Sequence, residues 1–421
     1  MVFVSIQRVA VLLICLVLLP QIALADSPIC EIIDGVPHVK NGSIPTGGVQ
    51  ALRMNELWRV GGEDDEEILF GLAPKVCTDG IGQVYVLDSQ LSQVLVFSPD
   101  GELSQTLFRE GEGPGEVRQP RDMFVLEDGR VGAIQEFPGT TVLVDGHGSP
   151  AGRIRVGSPG GNLFSLVGCQ AQGDHVLMSG LFQSTGSSPE ISNRTYFLSA
   201  FDDDGQETHR YCESKAVYDF GAFHFSEREH IPTFFFCFDV GADGRSCVAP
   251  DRDAFAIHVF GPDGRPELVI EREYEPIERS NQEYEELRQT FDSSLSTVPM
   301  EYELTVERRA AAIPYWQRGL HMREDGSIWA LSGRGIRDLS DDVLAVFDVF
   351  NASGEFVNQM ELLGPGDALK DGIFLAGPDR VLVVKRYMES LMKQFGGGPE
   401  AYDDDSDAAP SLSVICYQLE S

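Results

Sequence analysis

The side chains best able to do chemistry stand close together in one stretch, His224-Phe-Ser-Glu227-Arg-Glu229-His230. Imidazoles and carboxylates this dense invite a metal. Their spacing, however, is neither an i,i+4 histidine pair nor HExxH, and a solvated loop accounts for them better. Asp88, Glu112 and Glu116 offer the hard oxygen ligands that calcium takes. They could also simply meet solvent or pair with Arg109, Arg118 and Arg121. Nucleophilic catalysis has no local signature: there is no G-x-S-x-G elbow and no cysteine motif. Pairing of a His with a distant Ser or Asp stays open. Gly111–Glu116 is glycine-rich but acidic and lacks Lys, which makes a poor phosphate cradle. Asp202-Asp-Asp-Gly205 imitates the start of a calcium loop, lacks the downstream Glu, and reads as a turn.

These groups must be positioned by a repeat. Gly82–Asp88 (GQVYVLD), Gly129–Gln135, Gly173–Ser179, Gly244–Pro250, Gly326–Ser332 and Asp379–Lys385 each give a turn residue, a polar residue and an apolar run. Runs of this length between turn signals read as strands buried on both faces. A second recurrence, Val96-Phe97 before Asp100-Gly101, returns as Phe201 before Asp204-Gly205, Phe260 before Asp263-Gly264 and Phe350 before Ser353-Gly354. Asp-Gly supplies the positive φ that tight hairpins need. The units therefore have four strands, with blades near 74–109, 120–156, 164–214, 233–274, 318–363 and 370–420. The last holds only three strands. Glu56–Val60 (ELWRV), followed by Gly61-Gly62, is the spare strand, and docking it there removes two bare sheet edges.

Gly82–Asp88, Val96–Glu102 and Gly111–Glu116 together resemble the bacterial six-bladed β-propeller proteins related to NHL-repeat propellers; Ile313-Pro314 leading to Asp325–Trp329 is similar to a late blade. The resemblance covers nearly all of 56–419. It implies an all-β, six-bladed propeller of four-stranded antiparallel blades, closed by the N-terminal strand, with a small helical insertion between blades 4 and 5. It also brings in calcium-dependent lactonases, whose central ion is held by Glu, Asn and Asp. Only Asn162 and Asn193 fall in the expected mouth loops here, which counts against that activity.

Turns between strands one and two, and three and four, are short. The long connections, 180–194, 333–342 and 386–410 within blades and 110–120, 157–164, 212–232 and 275–317 between them, all emerge on one face of a propeller, where binding or chemistry belongs. In 277–316, Ser280 with Glu283 forms a capping box, Tyr284, Leu287 and Phe291 follow at helical spacing, and Pro299 suits the start of a second helix, Met300–Ala312. This insertion is either a lid or a rim ornament. Candidate ligand-binding residues on the long-loop face are Asp88, Glu112, Glu116, Arg118, His224, His230 and Arg334; no catalytic residue or metal ligand is assigned.

Residues 1–25 read as a signal peptide with cleavage near Ala25, followed by an N-terminal extension over 26–55 and a single propeller over 56–421. The product is expected to be periplasmic or extracellular and monomeric, with no membrane insertion. Removing 1–25 takes away only Arg8, so the formal charge moves from −34 to −35. Such a surface disfavours nucleic acid and suits cationic partners or simple solvation. Cys15 leaves too, so eight cysteines become seven and at least one thiol stays free or pairs between chains. Cys237 and Cys247 flank a turn and could face each other, or be buried strand residues. Sequons at Asn41, Asn193 and Asn351 carry little weight in a bacterial protein. The leading expectation is a non-enzymatic binding scaffold for a protein or small ligand, possessing no cofactor. The alternative is a calcium-assisted, lactonase-like hydrolase or lyase at the channel mouth.

Overall fold

Local chemistry builds each hairpin, and burial between neighbouring sheets fixes its register. The computed structural model describes residues 27–420 except 64, 138, 157–162, 174, 297–299 and 395–411. The expected signal peptide, Asn162, Pro299 and the Gly396–Gly398 and Asp403–Asp405 runs lie outside the described residues. In blade 1, Lys75–Thr78, Val84–Asp88, Gln93–Phe97 and Leu103–Leu107 pair antiparallel in chain order. Val84–Asp88 is buried along its whole length, as a strand between two packed sheets must be. The turn beyond Phe97 is closed by Gly101, at φ +87, which donates its N–H to Ser98 O at 2.9 Å. The same arrangement recurs until six antiparallel blades surround one axis. Their first strands pack against one another along the channel.

The ring closes as the sequence indicates, and further. Strand β1 (Ile29–Ile33) pairs with β2 (Val36–Asn41), and β2 runs parallel to the outer strand of blade 4, Pro266–Arg272. Strand β3 (Val49–Gly61) first lies parallel to Phe356–Leu363 of blade 5, then antiparallel to Ser413–Glu420 of blade 6. The stretch read as a plain extension thus consists largely of outermost strands crossing three blades. Asn41 fastens it: its buried amide donates to Gly354 O at 2.9 Å and Glu271 O at 3.1 Å and accepts the Phe356 N–H at 2.8 Å.

One expectation fails. The capping box is present, with Ser280 N donating to Glu283 Oε2 at 2.9 Å and Glu283 N to Ser280 Oγ at 3.1 Å, and it opens a helix at Asn281–Ser296, the insertion helix. No second helix forms over 300–312. Tyr302–Thr305 is instead a strand parallel to Phe223–Ser226. Tyr302, Leu304 and Val306 alternate apolar with polar neighbours, a period of two that the helical reading overlooked. A short mouth helix, Tyr387–Gln394, fills part of the last long loop. Asp202 Oδ1 accepts the Asp204 and Gln206 N–H groups at 3.0 and 2.8 Å, as a turn requires. The seven described cysteines are free; Cys247 stands opposite Asp239 rather than Cys237.

Candidate functional site

The channel is stoppered by charge. Asp122 and Arg318 are almost fully buried, and Arg318 Nη2 donates to Asp122 Oδ2 at 2.8 Å. The Cys169 N–H reaches the same oxygen at 2.8 Å, and Lys75 Nζ lies 3.7 Å from Asp122 Oδ1. Lys75 also donates to Gln170 Oε1 at 3.0 Å. The first strands of blades 1, 2 and 3 and the lead-in to blade 5 therefore meet in one ionic knot. Asp239 repeats the device between blades 4 and 5, accepting the Met322 N–H at 2.7 Å. Burial raises the Asp239 carboxyl to about 6. Burial, with the charges of Arg323, Lys75 and Arg318 added, depresses His321 to about 3, so its imidazole is neutral at physiological pH. The central carboxylates are occupied by backbone donors and guanidinium. Among the described residues no cluster of three or more His, Cys, Asp or Glu groups forms a cation site.

A cavity of about 610 Å³ has Trp316 and Gln317, which lead into Arg318, in its wall. Its walls come from the insertion helix, from 311–317, from Ile336 and Arg337, from Asp367–Lys370 and from the mouth helix; all but Asp367–Lys370, in the short crossover from blade 5 to blade 6, belong to the long connections expected to share a face. Leu287, Pro314, Tyr315, Trp316, Ile336, Leu369, Met388 and Met392 give it an apolar interior. The insertion helix is anchored beside it rather than hinged: Phe291 is buried and packs on Phe225 with ring centres 5.1 Å apart. A second cavity of about 570 Å³ adjoins the first and shares Ser280, Glu283, Ile336, Arg337, Asp367 and Leu369 with it.

Four cations and four carboxylates line the main cavity. Arg337 Nε donates to Glu283 Oε1 at 3.0 Å and its Nη1 to Gly333 O at 2.8 Å. Burial raises Glu283, but the Ser280 N–H and Arg337 more than offset it and hold the carboxyl below its ordinary value. Lys370 lies 3.3 Å from Asp367, and Arg386 meets Glu389, which also takes Lys393 at 3.1 Å. Arg279 grips the fully buried Glu227 with two hydrogen bonds of 2.9 and 2.7 Å. Tyr315, on the cavity wall, donates to Glu227 at 2.6 Å, and Arg252 stands 3.1 Å away. Burial would raise the Glu227 carboxyl; the two guanidiniums and the phenol hold it at about 2. Glu286 accepts a hydrogen bond from Gln282 at 2.8 Å on the exposed rim.

The candidate residues named from sequence lie elsewhere, and the structure gives most of them structural partners. Asp88 is fully buried and accepts N–H groups from Gly71, Leu72, Gln90 and Leu91 at 2.8–3.3 Å, which closes a turn. Glu112 pairs with Arg118 at 2.9 Å at the first blade crossover. Glu116 pairs with Arg109 and accepts the Gly113 N–H at 2.8 Å within the same crossover. His224 meets Thr305 Oγ1 at 2.8 Å, whereas His230 is buried with its Nδ1 on the Ser226 backbone. Arg334 pairs with Glu275 on the surface at 3.2 Å. Glu227 is a structural anion, so the His224–His230 stretch does not converge as a metal site. A signal for the true channel residues was present: Lys75, Asp122, Asp239 and His321 each interrupt the apolar first strand of a blade.

A family model described as DUF5128, a 6-bladed beta-propeller, matches residues 63–144, which span blade 1 and much of blade 2. No curated protein sequence matches the chain. Among solved structures, a DUF4221-family member from Bacteroides vulgatus aligns over 88% of this chain and 99% of its own, at 8% identity and a TM-score of 0.47. A protein from Bacteroides fragilis aligns over 88% and 95%, at 11% identity and 0.46. A virginiamycin B lyase from Staphylococcus aureus, crystallised with quinupristin, aligns over 86% and 99%, at 11% identity and 0.40. Likenesses this distant bear on neither ligand nor activity. By its strand order and this match the chain is a six-bladed β-propeller.

Proposed function

We propose that this is an exported, non-enzymatic binding propeller that holds a small molecule in the cavity between the insertion helix and the mouth helix. The observation that carries the reading is the cavity itself, about 610 Å³, with an apolar interior and polar rim. That volume is in the range of sites for drug-sized ligands, roughly 300–1,000 Å³. The channel supports binding over chemistry, because Asp122 and Asp239 are already committed to neighbouring blades. Export is supported by the signal-like sequence at 1–25, and no helix among the described residues is long and apolar enough to cross a membrane.

The test is a thermal-shift screen of a small-molecule panel on the full chain and on Leu287→Trp, whose indole would project into the cavity. Compounds that stabilise the wild type and not the variant support the reading. Equal stabilisation of both, or turnover of a bound compound, overturns it.

A further inference from the structure

The charges around the main cavity are more informative than its volume. A buried ionic ligand group needs an uncompensated partner of opposite sign, since desolvating it otherwise costs several kcal/mol. Among the described residues, the deeper wall offers none. Arg279 is held by Glu227, and Arg337 has Nε on Glu283 and Nη1 on Gly333 O. Arg337 and Glu283 are the most enclosed of the ion pairs whose two members both line the cavity, with side chains 12% and 20% exposed. They also stand in the wall that both cavities share. Pairs nearer the rim, such as Lys370 with Asp367, are likewise closed on themselves.

We propose that the cavity selects an uncharged small molecule with an apolar body, and that the Glu283–Arg337 pair is the specificity-determining element that enforces this. The inference rests on the binding reading above. With both members present, an anionic ligand meets Glu283 and a cationic one meets Arg337, so each sign of charge is opposed. Ligands with neutral hydrogen-bonding groups can use the rim amides of Gln282 and Gln289 without displacing an ion pair. Charge complementarity therefore points away from the cationic ligand that the acidic composition alone suggests. The net charge belongs to the outer surface, whereas the enclosed wall is locally balanced; Glu286, hydrogen-bonded to Gln282, stands on the exposed rim.

Three probes of one skeleton test this: naphthalene-2-methanol, 2-naphthoate and 2-naphthylmethylammonium, titrated calorimetrically into the full chain. The alcohol is expected to bind at least about tenfold tighter than either ion, with an affinity unchanged between low salt and 0.5 M salt, and Leu287→Trp should abolish its binding. Glu283→Gln, which keeps a side-chain acceptor for the capping box, should raise affinity for the naphthoate about tenfold. Arg337→Gln should do the same for the ammonium probe. A wild-type preference for either ion at the Leu287-sensitive site, or substitutions that leave the ranking unchanged in folded protein, would overturn the selectivity while leaving the binding reading intact. Absence of Leu287-sensitive binding by all three would overturn both.

Discussion

Replacing Glu227 by Gln removes a fully buried carboxylate from between Arg279 and Arg252 and leaves both guanidiniums inside. Breaking a buried pair by losing one partner costs about 3–5 kcal/mol. Titration gives a second route to the magnitude. A carboxyl at about 2 in the fold, against 4.5 outside it, contributes about 3 kcal/mol at neutral pH. Because the folded value is the lower one, that contribution is complete above 4.5 and is lost as the pH falls through about 2. Urea unfolding of wild type and Glu227→Gln at a series of pH values measures both quantities. The variant should be less stable by about 3 kcal/mol at pH 7, and the gap should close on going to pH 2. The exposed neighbour provides the control, Glu229→Gln, which should change little. A variant as stable as the wild type, or one that retains the wild-type acid slope below pH 4.5, would refute the reasoning.

Two further substitutions follow from the same geometry. Asp88→Ala strips four N–H groups of their acceptor and should cost about 2–4 kcal/mol in denaturant unfolding. The loss should be the same with and without calcium; a calcium-dependent difference would restore Asp88 as an ion ligand. Gly101→Ala would place a methyl 2.6 Å from the Trp58 indole at φ +87, with an expected cost of about 2–4 kcal/mol. Trp58→Ala made on that background should return part of the loss in melting temperature, and no recovery would argue against the clash.

Much of the fold was legible because burial between sheets leaves the same imprint in every blade. Strands such as Val84–Asp88 and Val131–Gln135 meet apolar neighbours on both faces, so their composition repeats. Pairing demands likewise exposed Glu56–Val60 as the missing strand. The first strands each carry a polar residue, but what it meets is not written locally: Lys75 and Asp122 both reach Cys169–Gln170 of blade 3, whereas Asp239 takes the Met322 N–H of blade 5. The cavity was still harder to read. Leu287, Trp316, Ile336 and Met392 belong to separate connections, and nothing local marks them as a set. The turn contacts of Asp88 were not legible either: a carboxylate at a strand end can bind a ligand or cap a turn, and only its surroundings show the N–H groups it accepts.

Strand β3 also sets an order on assembly. It is made early, yet its partners are Phe356–Leu363 and Ser413–Glu420. Until those segments exist, a strand of thirteen residues has no edge to join. Blades formed from local hairpins can arise along the way, but the seam joining first to last is a contact of nearly maximal sequence separation, which is slow to find. A chain cut short before Ser413 would leave the Met54–Gly61 part of β3 without its partner. Its exposed backbone would be open to proteases and to mispairing. The seam thus makes completeness of the chain a condition of stability, and an emerging polypeptide remains open until its final strand is available.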